Sequence, residues 1–154
     1  MTPATPDRPA AQRDTACSAG HILDTMISLT RAGPLHRMII GGSESMELYL
    51  VLRRRGFIRV TTTEICRVAR AQHAVGLIAG QNSSRGIEAI LDQMSPFLAT
   101  NAGLALLVGS RENAFKIRSK LGELGFRIEA GVRCTSGLVL SAYRQGYELA
   151  AKAA

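Results

Sequence analysis

The residues best placed to do chemistry in this chain are Gly41, Gly42 and Ser43. There the apolar run Met38-Ile39-Ile40 breaks into two glycines and then a helix start bearing Glu44 and Glu47. Adjacent glycines at such a break let a ligand approach the main chain, because no side chain stands in the way. They equally suit a turn that needs unusual dihedrals and binds nothing. Phosphate is the commonest ligand of a strand-to-helix corner, and it needs free amides and positive potential at the helix start. Glu44 and Glu47 oppose it. Neither a Gly-x-Gly-x-x-Gly fingerprint nor a Gly-x-x-x-x-Gly-Lys-Ser/Thr loop occurs.

Two further sites carry usable polar groups. Glu64 follows Gly42 by 22 residues, near the position from which an acid reaches ribose hydroxyls in open α/β sheets. Its alternative role is to start a short helix at Ile65 through the helix dipole. Gln81 and Asn82 end an apolar strand, where such sheets place their ligands; the competing role for Asn82 is helix capping. Tyr49 and Tyr143 read as packing residues with their hydroxyls at the surface. No side chain stands out as a catalytic base. Cys17, Cys66 and Cys134 lie far apart, and His21, His36 and His73 show no zinc-like spacing. Reduced structural thiols and no metal site are expected.

The elements that position these residues follow from periodicity. Ile22, Leu23, Met26, Ile27 and Thr30 share one face of a helix over His21 to Arg31, stopped by Gly33-Pro34 and expected against the sheet edge. Met38 to Ile40 is a short buried strand, Ser43 to Arg55 a helix ended by Gly56, and Phe57 to Thr62 the next strand. Glu64 to Gln72 leaves room only for a short helix before the strand Ala74 to Ala79. Asn82, Ser83 and Ser84 offer caps for a helix whose face is Ile87, Ile90, Leu91, Met94 and Leu98. Leu104 to Val108 is a strand apolar throughout, which suits coverage on both faces. Ser110 caps a helix with Ala114, Ile117, Leu121 and Leu124 on one face. Phe126 to Arg133 and Leu138 to Tyr143 follow, joined by a link too short for a parallel crossover, so they form an antiparallel hairpin.

A chain of 154 residues with 46% apolar and 20% charged residues is one globular domain in size and composition. Residues 1–19 read as a flexible arm, 20–145 as a single α/β domain and 146–154 as a C-terminal tail. No apolar run reaches membrane-spanning length, and the first 20 residues lack the apolar centre of a signal peptide. A cytoplasmic location is the expectation. The net charge of +7 is densest through Arg53, Arg54, Arg55, Arg59, Arg67 and Arg70. Such a cluster could attract nucleic acid, but no aromatic residues are interleaved to stack on bases. The favoured reading is a helix C-terminus rich in cations, with the rest solvated.

Strands alternating with helices predict a three-layer α/β/α sandwich whose mostly parallel sheet ends in an antiparallel hairpin. That pattern, over residues 20–144, resembles the class I S-adenosylmethionine-dependent methyltransferases. The resemblance is carried by the corner Ile39 to Gly42, Gly56-Phe57 with Glu64 beyond, and Ser95-Pro96-Phe97-Leu98 running to Asn101-Ala102-Gly103 as a turn into an apolar strand. Gly125-Phe126 and the hairpin complete it. Departures accompany it. The family's strand-one acid and Gly-x-Gly-x-Gly turn are reduced to Gly41-Gly42, and the span from Glu64 to Ala74 is too short for the family's third strand. The resemblance implies an S-adenosylmethionine-type cofactor held by Gly41, Gly42, Ser43, Glu64 and Gln81. Acids suit its sulfonium and ammonium. Methyl transfer to an unknown acceptor would rest on positioning. The alternative is a non-catalytic domain acting through oligomer or partner contacts, with homodimerisation at the sheet edge left bare by the missing strand.

Overall fold

The computed structural model describes residues 21–63, 70–80, 83–134 and 137–144. The expected arm and tail, the short helix after Glu64, and Cys17, Cys66, Glu64, Gln81 and Asn82 lie outside the described residues. A helix over residues 21–30 (α1) precedes β1 (Met38–Gly41), α2 (Ser45–Arg54), β2 (Val60–Thr62) and β3 (His73–Ile78). Then come α3 (Ser84–Met94), a 3₁₀ turn at Ser95–Phe97, β4 (Leu98–Val108), α4 (Arg111–Glu123), β5 (Phe126–Cys134) and β6 (Gly137–Arg144).

The strands form one six-stranded sheet in the order β2-β1-β3-β4-β6-β5. The first four are mutually parallel, and β6 runs antiparallel to both of its neighbours. Strand side chains alternate between two faces, and each face has its own core. Ile39, Ile78, Leu104, Leu106 and Leu140 meet Ile87, Leu91 and Met94 of α3 and Ile117 and Leu121 of α4. Met38, Ile40, Val75, Leu77, Ala105 and Val139 meet Leu23 and Met26 of α1 and Leu52 of α2. That is the expected α/β/α sandwich with its closing hairpin. Each fully buried Leu, Ile or Met contributes about 1.5–3 kcal/mol relative to exposure.

Local signals set the helix ends. The Ser83 hydroxyl accepts from the Gly86 amide at 3.1 Å and the Ser110 hydroxyl from the Asn113 amide at 3.2 Å, capping α3 and α4. The cap of α3 is therefore Ser83 and not Asn82. Helix α3 presses on the sheet where side chains are missing: a Cβ on Gly76 would stand 2.8 Å from the Met94 sulfur, and one on Gly41 would overlap Ile90.

Four expectations need correction. Helix α1 lies over the middle of the sheet, with Leu23 and Met26 buried among β1, β3, β4 and β6 residues, and not against an edge. Helix α2 begins at Ser45, so Ser43 and Glu44 belong to the turn. Strand β2 is only three residues long, because Phe57 buries beneath α2 instead of pairing. Asn101-Ala102-Gly103 is no turn: β4 starts at Leu98, which pairs with His73 before a register shift brings Gly103 opposite Val75. Pro96 explains the early end of α3, since proline supplies no amide to the helical ladder and restrains the residue before it.

Arg144 joins the last strand to this junction. Its guanidinium donates to the carbonyls of Ser95 (3.0 Å) and Leu98 (2.9 Å) and to the Ser95 hydroxyl, and it lies 4.6 Å from the Phe126 ring centroid. Arg144→Ala should lower the unfolding free energy by about 1.5–3 kcal/mol, the range for hydrogen bonds to charged groups. Arg144→Lys should recover only part, because one ammonium cannot reproduce the planar fork. Urea denaturation checks both.

His73, buried at the start of β3, bonds through Nδ1 to the Phe97 carbonyl at 3.1 Å. Burial pulls its imidazole below the ordinary value; the Phe97 bond partly offsets this, and the Arg37 charge adds to it. The unfolded chain thus takes up this proton at a pH where the folded chain resists it. Stability should fall as pH drops below about 6.5. His73→Gln should flatten that part of a stability-against-pH profile.

Candidate functional site

The carboxyl ends of β1 and β3 meet where successive connections leave the sheet in opposite directions. Chain from β1 leads through α2 to β2 on one side; chain from β3 leads through α3 to β4 on the other. Open α/β sheets place ligands in the crevice at such a switch point. Gly41, Gly42 and Ser43 leave β1 there, facing Ala79 and Gly80 at the end of β3. The structure brings these together; Glu64 and Gln81 lie outside the described residues.

The two turns touch through main chain. Ala79 donates its amide to the Gly41 carbonyl at 3.2 Å, and the Ser43 hydroxyl donates to the Gly80 carbonyl at 2.5 Å. Gly42 has φ +106°, and a Cβ there would overlap the Ala79 carbonyl oxygen and lie 2.8 Å from its carbon. Gly80 has φ +92°, and its Cβ would overlap the Ser43 hydroxyl and lie 2.7 Å from the Glu44 amide nitrogen. The bare faces of both glycines are thus spent on each other's strands, and that of Gly41 on α3. Gly80 is the partner that sequence reasoning passed over. Its signal was a glycine closing a second apolar strand, matching Gly41-Gly42 at the first.

Charge at the corner favours cations. Glu44 sits at the N-terminal boundary of α2, exposed and without a side-chain capping bond, and Glu47 lies in the first turn. Neither carboxylate forms an ion pair with a described residue. The arginines gather at the far end of α2. Arg53 donates to the Ile58 carbonyl at 2.9 Å, and Arg55 pairs with Asp24 of α1, so part of the basic cluster braces helices and loops. No group of three or more His, Cys, Asp or Glu residues able to hold a metal occurs among the described residues. Nor is any described helix long and apolar enough to cross a membrane. Cys134 is a free, half-buried thiol. Tyr143 is half-buried and lines a cleft at the amino edge of the sheet, remote from the corner.

The fold is that of the class I S-adenosylmethionine-dependent methyltransferases, with the third strand missing among the described residues. The chain is similar to precorrin-6y C5,15-methyltransferase from Geobacter metallireducens, with a TM-score of 0.59 at 14% identity over 82% of this chain and 88% of that one. It is similar also to geranyl diphosphate methyltransferase in complex with GPP and sinefungin, with a TM-score of 0.63 at 10% identity over 93% and 86%. The [4+2]-cyclase SpnF shares the fold too, at a TM-score of 0.62 and 10% identity over 83% and 81%. No family model matches the chain, and no curated protein matches it in sequence. One fold thus serves proteins named for different reactions, and function has to be argued from the site.

The glycines separate by role, and their substitution tells the roles apart. Gly42→Ala should abolish the folded state or lower its stability by several kcal/mol, because left-handed strain adds to an overlap with Ala79. Gly56→Ala, at φ +94° with nothing within 4 Å of its Cβ, should cost only about 1–2 kcal/mol. Chemical denaturation of the two variants side by side provides the comparison.

Proposed function

We propose that this protein binds S-adenosylmethionine or a related adenosyl compound at the carboxyl edge of its sheet and transfers the methyl group to an acceptor. The observation that carries the reading is the Gly41-Gly42-Ser43 turn at the switch point, with two unpaired acids, in a fold shared with methyltransferases. The residues fit such a cofactor in charge: Glu44 and Glu47 suit a sulfonium and an ammonium and repel phosphate. Gly41 to Ser43 would supply main chain at the corner, Glu64 a carboxylate for ribose hydroxyls, and Gln81 an amide at the end of β3. When bound, the cofactor supplies an electrophilic methyl group. The chain's part is to orient it and to keep competing anions away, which needs no general base. A cytoplasmic location and a single domain over 20–145 accompany this reading.

The test is calorimetric titration of the full chain with S-adenosylmethionine and S-adenosylhomocysteine. Glu44→Lys is the suitable control, since Glu44 is exposed whereas Gly42 is needed for the fold. Reversing that charge should weaken S-adenosylmethionine binding by about tenfold or more.

A second reading rests on the filled faces of Gly42 and Gly80: a Rossmann-like domain that acts through protein contacts. Its surface would be the β2 edge of the sheet, where Met46 and Leu50 of α2 and Ile58 are about half exposed at 50%, 48% and 58%. Homodimerisation at that edge is expected, with Leu50→Glu giving a monomer in light scattering. Well-folded protein that ignores both cofactor forms yet dimerises would favour this reading over the first.

A further inference from the structure

A second cleft opens at the amino edge of the sheet, at the end opposite Gly41-Gly42, and has a volume of about 430 Å³. Gly103 of β4 leaves space beneath the end of α1, where its Cβ would come no closer than 3.6 Å to Thr30. Three departures from regular backbone meet around this space. Arg31, just beyond α1, adopts φ +56°, a conformation uncommon outside glycine. The β3–β4 register shift sets four residues of β4, from Ala99 to Ala102, against the single residue Ala74, and Asn101 lies in that insert. The β5–β6 shift leaves Glu129 as the extra residue of β5. No other strand pair among the described residues changes register. Bulges re-aim side chains and are over-represented beside binding sites.

All three irregular positions line the cleft, and their chemistry is complementary. Arg31 brings a fixed positive charge and Glu129 a carboxylate, and neither forms an ion pair among the described residues. Asn101 adds an amide and Tyr143 a phenol. His36 accepts from the Gly33 amide through Nδ1 at 2.8 Å, which leaves Nε2 as the ring's donor. Leu29, Val75 and Gly103 give an apolar floor. A dianion would meet Glu129, and a dication would meet Arg31. A molecule with one charge of each sign satisfies both. The volume lies in the lower part of the range for small-molecule sites, about 300–1,000 Å³.

We propose that this cleft is a binding site for a small zwitterion of the α-amino-acid type, its carboxylate on Arg31, its ammonium on Glu129 and its apolar side chain over Gly103. The site is separate from the carboxyl-edge corner, and it stands whether or not that corner holds a cofactor.

The test is an NMR-detected titration of the full chain with L-leucine, with 4-methylpentanoate and with 3-methylbutylamine. The last two keep the same apolar body and carry one charge each. Leucine should shift the Asn101 and Gly103 amides and bind at least about tenfold more tightly than either analogue, the effect of one charge-assisted hydrogen bond. Arg31→Gln and Glu129→Gln should each weaken leucine by about tenfold or more, with the dispersion of the spectrum unchanged. Glu44→Lys should leave leucine affinity as it is, which separates this site from the corner. Equal affinities for the three ligands, leucine binding indifferent to both cleft variants, or no shifts at millimolar leucine would overturn the proposal.

Discussion

Main chain meets main chain where β1 and β3 end, and the geometry of the carboxyl edge depends on that contact. Gly42 passes the Ala79 carbonyl at a distance no Cβ allows, and Gly80 passes Ser43 and Glu44 in the same way. The positive φ values at both positions turn the chain out of the sheet, one toward α2 and the other toward α3. Helix α3 in turn lies low enough to use the bare face of Gly41. The glycines that invite a ligand-binding reading are therefore also those that let two connections leave adjacent parallel strands in opposite directions. The main chain of the corner is thus taken up by the contact between the two strand ends, with Glu44 exposed beside it at the start of α2.

The rest of the sheet shows how a parallel core is closed. β4 pairs parallel with β3 and antiparallel with β6, because the link from β5 to β6 is too short for a crossover. Arg144, at the end of β6, reaches back to the carbonyls around the 3₁₀ turn that starts β4, so the last strand also secures the α3–β4 junction. Both register shifts fall toward the amino edge, where the long β4 and the hairpin run past the shorter parallel strands. Regular pairing builds the two cores, and the irregular residues, freed from pairing, line a cleft.

Much of this was legible in the chain. Helical spacing marked the buried faces of α1, α3 and α4, and Ser110 was identified as a cap. The short final link gave the hairpin, and a sheet without the third strand, expected from the small interval between Glu64 and Ala74, is what the described residues form. Less legible were features that depend on a distant partner. β4 extends back to Leu98 because His73 is there to pair with it. α1 covers the centre of the sheet, with Leu23 and Met26 clustered with residues of β1, β3, β4 and β6, a placement that no periodicity within residues 21–30 reveals.

The amino-acid sequence by itself determined the order and type of the elements, the α/β class, and the acidic character of the Gly41–Glu47 corner. These depend on spacing, capping and charge within a few residues, interactions that the local chain already contains. Only the tertiary structure decided what the glycines touch, which residue at the end of β3 completes the corner, and that Arg31, Asn101 and Glu129 share one cleft. Those outcomes join residues from β4, β5 and the turn after α1, or from the ends of β1 and β3. Distances between such segments are set by how two cores close over the sheet, and one-dimensional spacing carries no measure of that closure.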